Sequence, residues 1–202
     1  MPNAARAVQE IASPPGGRGG PSRLKPLLDA AARRFCQAGY DGASMRDIAG
    51  DVGMLPGSVY YHFPSKEELF VAVLAEGIRR ITEAVEAAVA SAADPWDRLA
   101  AAAGAHMTAL LDGGDYAQVV IRDARPQGTH SERLIALRDA YEDIFRRLID
   151  GLPLAADADR TRVRLMLLGA LNASPGWYRP GGATPDDLGR DFVAMLRKPL
   201  SP

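Results

Sequence analysis

The sequence predicts an all-α protein of about nine helices. From about residue 22 onward, apolar residues recur every three or four positions, which is the spacing of one face of a helix. Ser, Asp and Pro repeatedly stand just ahead of these apolar-patterned segments, where helices begin. No stretch alternates apolar and polar residues over more than a few positions, so no strand is predicted.

Composition narrows the class of protein. The 202 residues are 47% hydrophobic and 24% charged, which is ordinary for one or two globular domains. The 24 Lys and Arg are balanced by 25 Asp and Glu, so net charge does not indicate a nucleic-acid partner. Cys36 is the only cysteine, which excludes an internal disulfide and fits a reducing compartment. No apolar run approaches the roughly 18 residues of a membrane span, and no signal peptide opens the chain. We therefore expect a cytoplasmic protein with no membrane contact.

The first helix follows a tail. Residues 1–21 are predicted to be disordered, because the Pro- and Gly-rich stretch from Ser13 to Pro21 can neither propagate a helix nor bury apolar surface. The helix that follows is predicted to stop at Gly39. Its buried face is formed by Leu24, Leu27, Leu28, Ala31 and Phe35.

Three helices come next, two of which begin with a capping box. Ser44 opens the second helix, with Asp47 three residues later in the pattern of a capping box. Gly53 ends that helix, and Pro56 suits the first turn of a short third helix. A second capping box at Ser65–Glu68 opens a long fourth helix. The buried side of the fourth helix is formed by Leu69, Val73, Ile81 and Val85.

Five further helices are predicted by the same signals. Asp94 caps the fifth, the turn at Asp112–Asp115 precedes a short sixth, and Pro126 and Gly128 interrupt the chain before the seventh. A Gly- and Pro-rich loop at Ser174–Ala183 separates the last two. The short sixth helix passes through Val119, Val120 and Ile121, and the last two helices are predicted at about 159–173 and 185–197.

The segment from Ser44 to His62 carries the functional signal. Two short helices joined by a tight turn at Val52–Leu55 form the layout of a helix-turn-helix, whose second helix projects side chains into the major groove of DNA. Small residues at Gly57 and Ser58 would allow close approach to base edges. Groups suited to phosphate contacts follow at Tyr60, Tyr61, His62 and Lys66.

Two runs fix many residue types at set spacings: Gly39-Tyr40-Asp41-Gly42-Ala43-Ser44-Met45-Arg46-Asp47-Ile48-Ala49, and Val52-Gly53-Met54-Leu55-Pro56-Gly57-Ser58-Val59-Tyr60-Tyr61-His62-Phe63-Pro64-Ser65-Lys66. Together they resemble the N-terminal domain of the tetracycline-repressor (TetR) family, over roughly residues 24–75. The resemblance implies an all-α homodimer whose variable C-terminal domain binds a small molecule and so alters the separation of two DNA-reading heads. By position, it implies DNA contacts at Ser44, Arg46, Gly57, Ser58, Tyr60, Tyr61, His62 and Lys66.

One departure from the family pattern lies in the turn. Leu55-Pro56 stands where the family often has Ser or Thr followed by Lys, or a similar polar pair, so a cationic contact is missing. The resemblance divides the chain into three parts: a disordered tail at 1–21, a helix-turn-helix DNA-binding domain at 22–68, and a helical ligand-binding and dimerisation domain at 69–202.

The predicted helix at about 159–173 is apolar around most of its circumference, which predicts burial on nearly all sides. In a chain of this length, a subunit interface explains such burial better than a deep core does. The helix at about 185–197 would complete a two-fold four-helix interface, as the resemblance implies. A homodimer also suits a palindromic operator on double-stranded DNA, because one head reads one half-site.

The resemblance to the TetR family implies that an effector binds between helices in the middle of the chain. Leu168-Gly169-Ala170-Leu171-Asn172 and Trp177-Tyr178-Arg179-Pro180-Gly181-Gly182 resemble TetR-type regulators of fatty-acid and steroid breakdown, which tend to sense acyl-CoA thioesters. The small-molecule effector is therefore hypothesised to be a bulky apolar acid or its CoA ester. Arg122, Arg125 and Arg138 could meet its phosphates or carboxylate, or equally form surface ion pairs. The apolar candidates, for each of which plain core packing is the alternative reading, are Met107, Leu110, Leu111, Tyr116, Val120, Tyr141 and Phe145.

No catalytic centre, metal site or cofactor is predicted. His62, His106 and His130 are not at metal-ligand spacing with Cys or a carboxylate pair, and Ser58 has no identifiable base. The alternative to a ligand-released regulator is a helical DNA-binding or adaptor protein without an effector. Repression is the commoner action in the family, but no residue decides between repression and activation.

Overall fold

The computed structural model describes the backbone of residues 21–123 and 131–200, and the side chains of residues 24–121 and 132–197. All regular structure within these residues is helical, which confirms the predicted fold class. Residues 1–20, nearly all of the predicted tail, and the predicted interruption at Pro126 and Gly128 lie outside the described residues. The helices are α1 (Pro21–Gly42), α2 (Met45–Asp51), α3 (Pro56–His62), α4 (Lys66–Ala90), α5 (Pro95–Asp112), α6 (Gly114–Asp123), α7 (Ser131–Asp150), α8 (Arg160–Asn172), α9 (Ser174–Trp177) and α10 (Pro185–Leu200).

One of these helices departs from the sequence prediction. The stretch Ser174–Ala183 is predicted to be a loop, but its first four residues form the single turn α9. Pro175 lies in the first turn of α9, where the N–H that proline lacks has no helical partner in any case. In the part of the chain that the structure describes, no helix has both the length and the apolar character needed to cross a membrane.

Side-chain caps fix the starts of several helices, as the sequence predicts. The Ser44 hydroxyl accepts hydrogen bonds from the N–H groups of Arg46 and Asp47 at 3.2 and 3.3 Å. The Ser65 hydroxyl accepts the Glu68 N–H at 3.1 Å. A side-chain oxygen at this position satisfies an N–H group that the helix itself leaves unpaired, and contributes about 1 kcal/mol. These caps therefore set where α2 and α4 begin.

The chain forms two compact units. The N-terminal unit contains described residues 21–79, 114–123 and 131–138. It therefore contains the predicted helix-turn-helix domain together with α6 and the first part of α7. α6 joins through Tyr116, which is 5% exposed and donates its hydroxyl to the Asp29 carboxylate at 2.9 Å. The core of this unit includes Leu27, Ala31, Phe35, Ile48, Val59, Phe63, Leu69 and Val119.

The C-terminal unit contains described residues 80–113 and 139–200. Its centre is the contact between α5 and α10, where glycines let the two backbones approach. A Cβ added to Gly189 would overlap the Ala103 carbonyl, and one added to Gly104 would overlap the Asp186 carboxylate. Neither helix could move this close with a larger residue at these positions. Further buried residues of the unit include Leu99, Met107, Phe145, Leu167, Leu171 and Val193.

Candidate functional site

α2 and α3 form a helix-turn-helix whose turn is held by the backbone. The Met54 N–H donates to the Ala49 carbonyl at 2.9 Å. Gly53 has a φ of 63°, in the left-handed region that glycine adopts without steric cost. Ile48 on α2 and Val59 on α3 are 0% exposed and anchor the inner sides of both helices. The opposite side of α3 is left to the solvent.

The outer side of α3 carries most of the predicted DNA contacts. Tyr60 and Tyr61 are 50% and 67% exposed, although aromatic side chains of this size usually bury most of their surface. Gly57 and Ser58, one turn earlier, are exposed and too small to block approach to a base edge. Arg46 is exposed on α2. These five candidates are accessible to a partner, with their backbones fixed by the helices that carry them.

Two further candidates also serve the fold. Ser44 is half-buried and its hydroxyl caps α2. His62 is half-buried in the last turn of α3, and its ring meets the Tyr61 ring edge-on, with the centroids 5.7 Å apart. The Ser44 side chain therefore holds the start of α2, whereas the His62 ring contacts its chain neighbour Tyr61 on α3.

Lys66 differs from the other candidates because its ammonium points into the protein. Its Nζ donates to the carbonyl oxygens of Tyr40 at 2.8 Å, Asp41 at 3.3 Å and Ala43 at 3.1 Å. The same Nζ lies 4.5 Å from the centroid of the Tyr40 ring, within the range of a cation–π contact. An ammonium has three N–H donors, so these carbonyls engage all of them. Lys66 thus ties the start of α4 to the segment that connects α1 to α2.

A second tie, between Arg34 on α1 and Asp51 at the end of α2, is absent from the sequence predictions. Arg34 Nε and Nη2 donate to the two carboxylate oxygens of Asp51 at 2.7 and 2.6 Å, a paired geometry that planar guanidinium favours. The hydrogen bond from Arg34 lowers the pKa of the Asp51 carboxyl below its usual value. The two residues are 17 positions apart, so no local pattern reveals that they pair.

The C-terminal unit contains a buried polar cluster formed by His106, Tyr141 and Asn172. His106 is 2% exposed; its Nδ1 lies 2.5 Å from the Tyr141 hydroxyl and its Nε2 lies 3.1 Å from Asn172 Oδ1. Because an amide oxygen only accepts, Nε2 carries the proton and donates, and Nδ1 accepts from Tyr141. Burial lowers the pKa of His106 to about 4, although the Asn172 bond opposes the shift. The imidazole is therefore neutral and joins α5, α7 and α8. The sequence does not reveal the partners of His106, because they lie 35 and 66 positions away along the chain.

The candidate ligand residues are divided between the two units. Tyr116 and Val120 pack in the core of the N-terminal unit, whereas the other five belong to the C-terminal unit. Tyr141 and Phe145 lie beside His106, with the three ring centroids 5.8 to 5.9 Å apart.

Among the candidate arginines, Arg138 is exposed, while the side chains of Arg122 and Arg125 lie outside the described residues. His130 is also outside them. Within the described residues, no group of three or more His, Cys, Asp or Glu is placed to hold a metal ion. The remaining apolar candidates for the ligand site, all in the C-terminal unit, are Met107, Leu110 and Leu111.

The outward side of α8 and the end of α10 are apolar and exposed. Leu165 and Met166 are 56% and 55% exposed, and Gly169 and Ala170 continue the same side one turn later. Met195 on α10 is 65% exposed. Val163, Leu167, Leu168 and Leu171 face the core of the unit. The sequence predicts that α8 is buried on nearly all sides; within the chain, one side of α8 packs in the core of the unit and the other is exposed.

Comparison with known proteins decides the family. A model described as bacterial regulatory proteins, tetR family, matches residues 27–73. A second, described as a tetracyclin repressor-like C-terminal domain, matches residues 92–200, which is more than half of the chain. The protein belongs to the TetR family. It is a DNA-binding transcriptional regulator, and α2 and α3 are its helix-turn-helix.

The chain is similar to one named repressor and to solved structures with the same fold. The transcriptional repressor KstR2 of Mycobacterium tuberculosis is 30% identical over 184 residues, covering 87% of this chain and 91% of KstR2. AibR, solved in complex with isovaleryl coenzyme A and operator DNA, has a TM-score of 0.74 and 24% identity over 86% of this chain and 97% of AibR. The superantigen PfiT has a TM-score of 0.76 and 28% identity over 91% of this chain and 97% of PfiT. Since proteins described so differently share the fold, the fold alone does not set the function.

Proposed function

We propose that this TetR-family regulator is a repressor that binds a palindromic operator as a homodimer and leaves it when a small-molecule effector binds. The observation that carries the proposal is the outer side of α3, where Gly57, Ser58, Tyr60 and Tyr61 are exposed on a helix anchored from behind by Val59. Repression is supported by KstR2, a named repressor similar along most of both chains.

The candidate DNA contacts take different roles in this proposal. Gly57 and Ser58 approach base edges, because the first residues of a recognition helix are the ones that reach them. Arg46, Tyr60 and Tyr61 contact phosphates, which position the protein without reading sequence. Ser44 and His62, at the ends of the two helices, contact the DNA backbone beside them. Lys66 acts by positioning, since its three donors are already engaged by carbonyls.

The dimer supplies the second reading head. Regulators of this family are dimeric, and we place the interface on α8 and α10. Leu165, Met166 and Met195 give that side an exposed apolar surface of the kind that homodimer interfaces cover. Two-fold symmetry then pairs each helix with its own copy and presents two copies of α3 to two half-sites.

The effector is placed in the C-terminal unit, next to His106, Tyr141 and Phe145. This region combines apolar and aromatic side chains with a hydrogen-bonded polar cluster, the mixture typical of small-molecule sites. A bulky apolar acid or its CoA ester fits that mixture, with the acyl part among the apolar groups. AibR, whose solved complex contains isovaleryl coenzyme A, supports an acyl-CoA as the first class to test.

Release of the operator follows from the spacing between the two recognition helices of the dimer. The two recognition helices must lie about 34–36 Å apart, one turn of DNA or a multiple, to engage both half-sites. An effector that binds better to a different spacing shifts the dimer away from the operator-competent state, and the shift cannot exceed its difference in affinity for the two states. The protein catalyses no reaction in this proposal, and it acts in the cytoplasm, where its operator is.

The experiment is a release titration. A duplex enriched by the purified protein from a random-sequence library is labelled, bound, and titrated with straight-chain, branched-chain and steroid acyl-CoA esters, with free coenzyme A as the control. The proposal expects at least one ester to release the duplex while free coenzyme A does not. Tight DNA binding that no ester changes, with release by a cationic drug instead, would contradict the effector class. Binding insensitive to every small molecule favours the constitutive DNA-binding or adaptor alternative.

A further inference from the structure

Leu55, the residue ahead of the recognition helix, lacks the polar side chain that usually caps the start of a helix. Leu55 is the N-cap of α3, makes no side-chain capping hydrogen bond, and is 77% exposed. By contrast, α2, α5 and α8 begin with Ser44, Asp94 and Asp159, each of which accepts a hydrogen bond from its own helix. A leucine in place of a polar cap weakens a helix start, and an exposed leucine gains little in return from burial. Features that cost stability without a local gain concentrate at functional positions.

The position of Leu55 relates it to the exposed side of α3. Leu55 lies next to the first turn of α3, and Ser58, three residues later, is its neighbour on that turn. Ser58 is exposed and Tyr61 is 67% exposed. Pro56 fixes the backbone immediately after Leu55, and Gly57 has no side chain to shield it. Leu55 is thus an apolar group at the leading end of a surface that otherwise offers hydroxyls.

DNA offers few apolar groups to such a side chain. In the major groove, the only one on the base edges is the C5-methyl of thymine, which apolar side chains read by contact. Residues at the start of a recognition helix are the ones that reach base edges. We propose that Leu55 is a specificity-determining residue that contacts a thymine methyl at one position of each half-site. The inference rests on the DNA-binding function and names one element of its sequence readout.

The first test compares the sequences selected by two proteins. Full-length wild type and Leu55→Ser are each used to enrich duplexes from a random-sequence library. The Ser variant restores a good N-cap, so loss of folding does not confound it. Wild type is expected to select thymine at one position in each half-site, and Leu55→Ser to keep the rest of the motif but lose that preference. The matched control is Ile135→Ser, another exposed apolar residue, 38% exposed on α7, which is expected to select the wild-type motif.

The second test removes the methyl group alone. Deoxyuridine replaces thymidine at the selected position of one half-site only, which leaves base pairing intact. Binding by wild type is expected to weaken about fourfold, the effect of losing one buried methyl group, and binding by Leu55→Ser to change less than about twofold. Selection of the same thymine with and without Leu55, or an equal loss for both proteins on deoxyuridine, would overturn the assignment. Failure of all three proteins to enrich any sequence would instead count against DNA binding itself.

Discussion

The ammonium of Lys66 lies over the ring of Tyr40, 4.5 Å from its centroid, and donates a 2.8 Å hydrogen bond to the carbonyl oxygen of the same residue. Through this pair, the first residue of α4 holds the end of α1 and the connection into α2. The second tie in the same region, between Arg34 and Asp51, fixes α1 to the other end of α2. The helix that precedes the recognition helix is therefore fixed at both ends.

Replacing Lys66 by Met keeps the length of the side chain and removes its three donors. We expect the free energy of unfolding to fall by about 2 kcal/mol, the scale of a hydrogen bond made by a charged group, because three carbonyls lose their partner. Thermal and urea denaturation measure the change. Lys25→Met is the control, because Lys25 is a 75% exposed lysine in a surface ion pair.

The same variant separates positioning from phosphate binding. If Lys66 only positions α2, the dependence of DNA affinity on salt keeps its slope in Lys66→Met, although affinity falls. If its ammonium instead neutralises a phosphate directly, the substitution reduces the slope by about 0.9 in each half-site. That result would return Lys66 to the surface that binds DNA.

Tyr61→Phe removes one exposed hydroxyl and leaves the ring that packs against His62. Affinity for specific and random duplexes is expected to fall alike, by about fivefold for each of the two protomers, since a phosphate contact carries no sequence information. Fluorescence anisotropy on both duplexes gives the ratio, and the melting temperature is expected to stay at the wild-type value. Tyr178→Phe, in the C-terminal unit, serves as the control. A loss confined to the specific duplex would show that Tyr61 reads a base.

The buried His106 predicts a loss of stability in mild acid. Its pKa is depressed to about 4 in the folded protein, whereas an unfolded histidine titrates near 6.5. The unfolded chain therefore takes up a proton first, so stability is full above about pH 6.5 and declines down to about pH 4. The total contribution is about 3 kcal/mol. The free energy of unfolding, measured by denaturation between about pH 7.5 and pH 4, is expected to fall more steeply for wild type than for His106→Gln. An identical profile for wild type and His106→Gln would contradict a neutral, buried His106.

Gly189→Ala tests the close contact of α5 and α10. The added Cβ would overlap the Ala103 carbonyl, and backbone cannot rotate away as a flexible side chain can. We expect the free energy of unfolding to fall by about 2–3 kcal/mol. Gly50→Ala is the control, because nothing lies within 4 Å of its added Cβ, and it is expected to stabilise α2 by up to about 1 kcal/mol. If Gly189→Ala and Gly50→Ala had the same free energy of unfolding, α5 and α10 would be able to move apart without loss of stability.

Met166→Glu tests the proposed dimer surface. Met166 is 55% exposed, so the substitution leaves the core of the unit intact while placing two like charges near a two-fold axis. Sedimentation is expected to show monomers at concentrations where wild type is a dimer, and binding to the full palindrome is expected to weaken. Ile135→Glu, outside α8 and α10, is expected to stay dimeric. A Met166→Glu protein that remains a dimer would move the interface elsewhere.

The sequence predicts the helices and the reading head well because their signals are local. Ser44, Ser65 and Asp94 each act within three residues, and helix periodicity needs only a few turns. The features that the sequence does not reveal depend on contacts between residues that are far apart in the chain. Arg34 and Asp51 pair across 17 positions, and His106 meets Asn172 across 66. Likewise, only the three-dimensional contacts reveal that Tyr116 belongs to the core of the N-terminal unit.

Lys66 illustrates a subtler limit. Its position in a motif predicts a cation at the surface that faces DNA, and its chemistry suits a phosphate. The carbonyls of Tyr40, Asp41 and Ala43 converge on its ammonium only because α1 bends at Gly39, where φ is 70°. A sequence motif therefore identifies the residue but not the direction in which its side chain points.

The most direct test of the central claim, a dimeric regulator with two α3 reading heads, is selection of fragments from the host genome by the purified protein, read by sequencing. The proposed function predicts enrichment of a shared palindrome whose half-site centres lie one helical turn of DNA, or a simple multiple, apart. Enrichment is expected to vanish for a variant with Gly57, Ser58 and Tyr61 replaced by Glu. If no sequence is enriched even at low salt, or if enriched fragments contain only single, unpaired sites, the claim is contradicted.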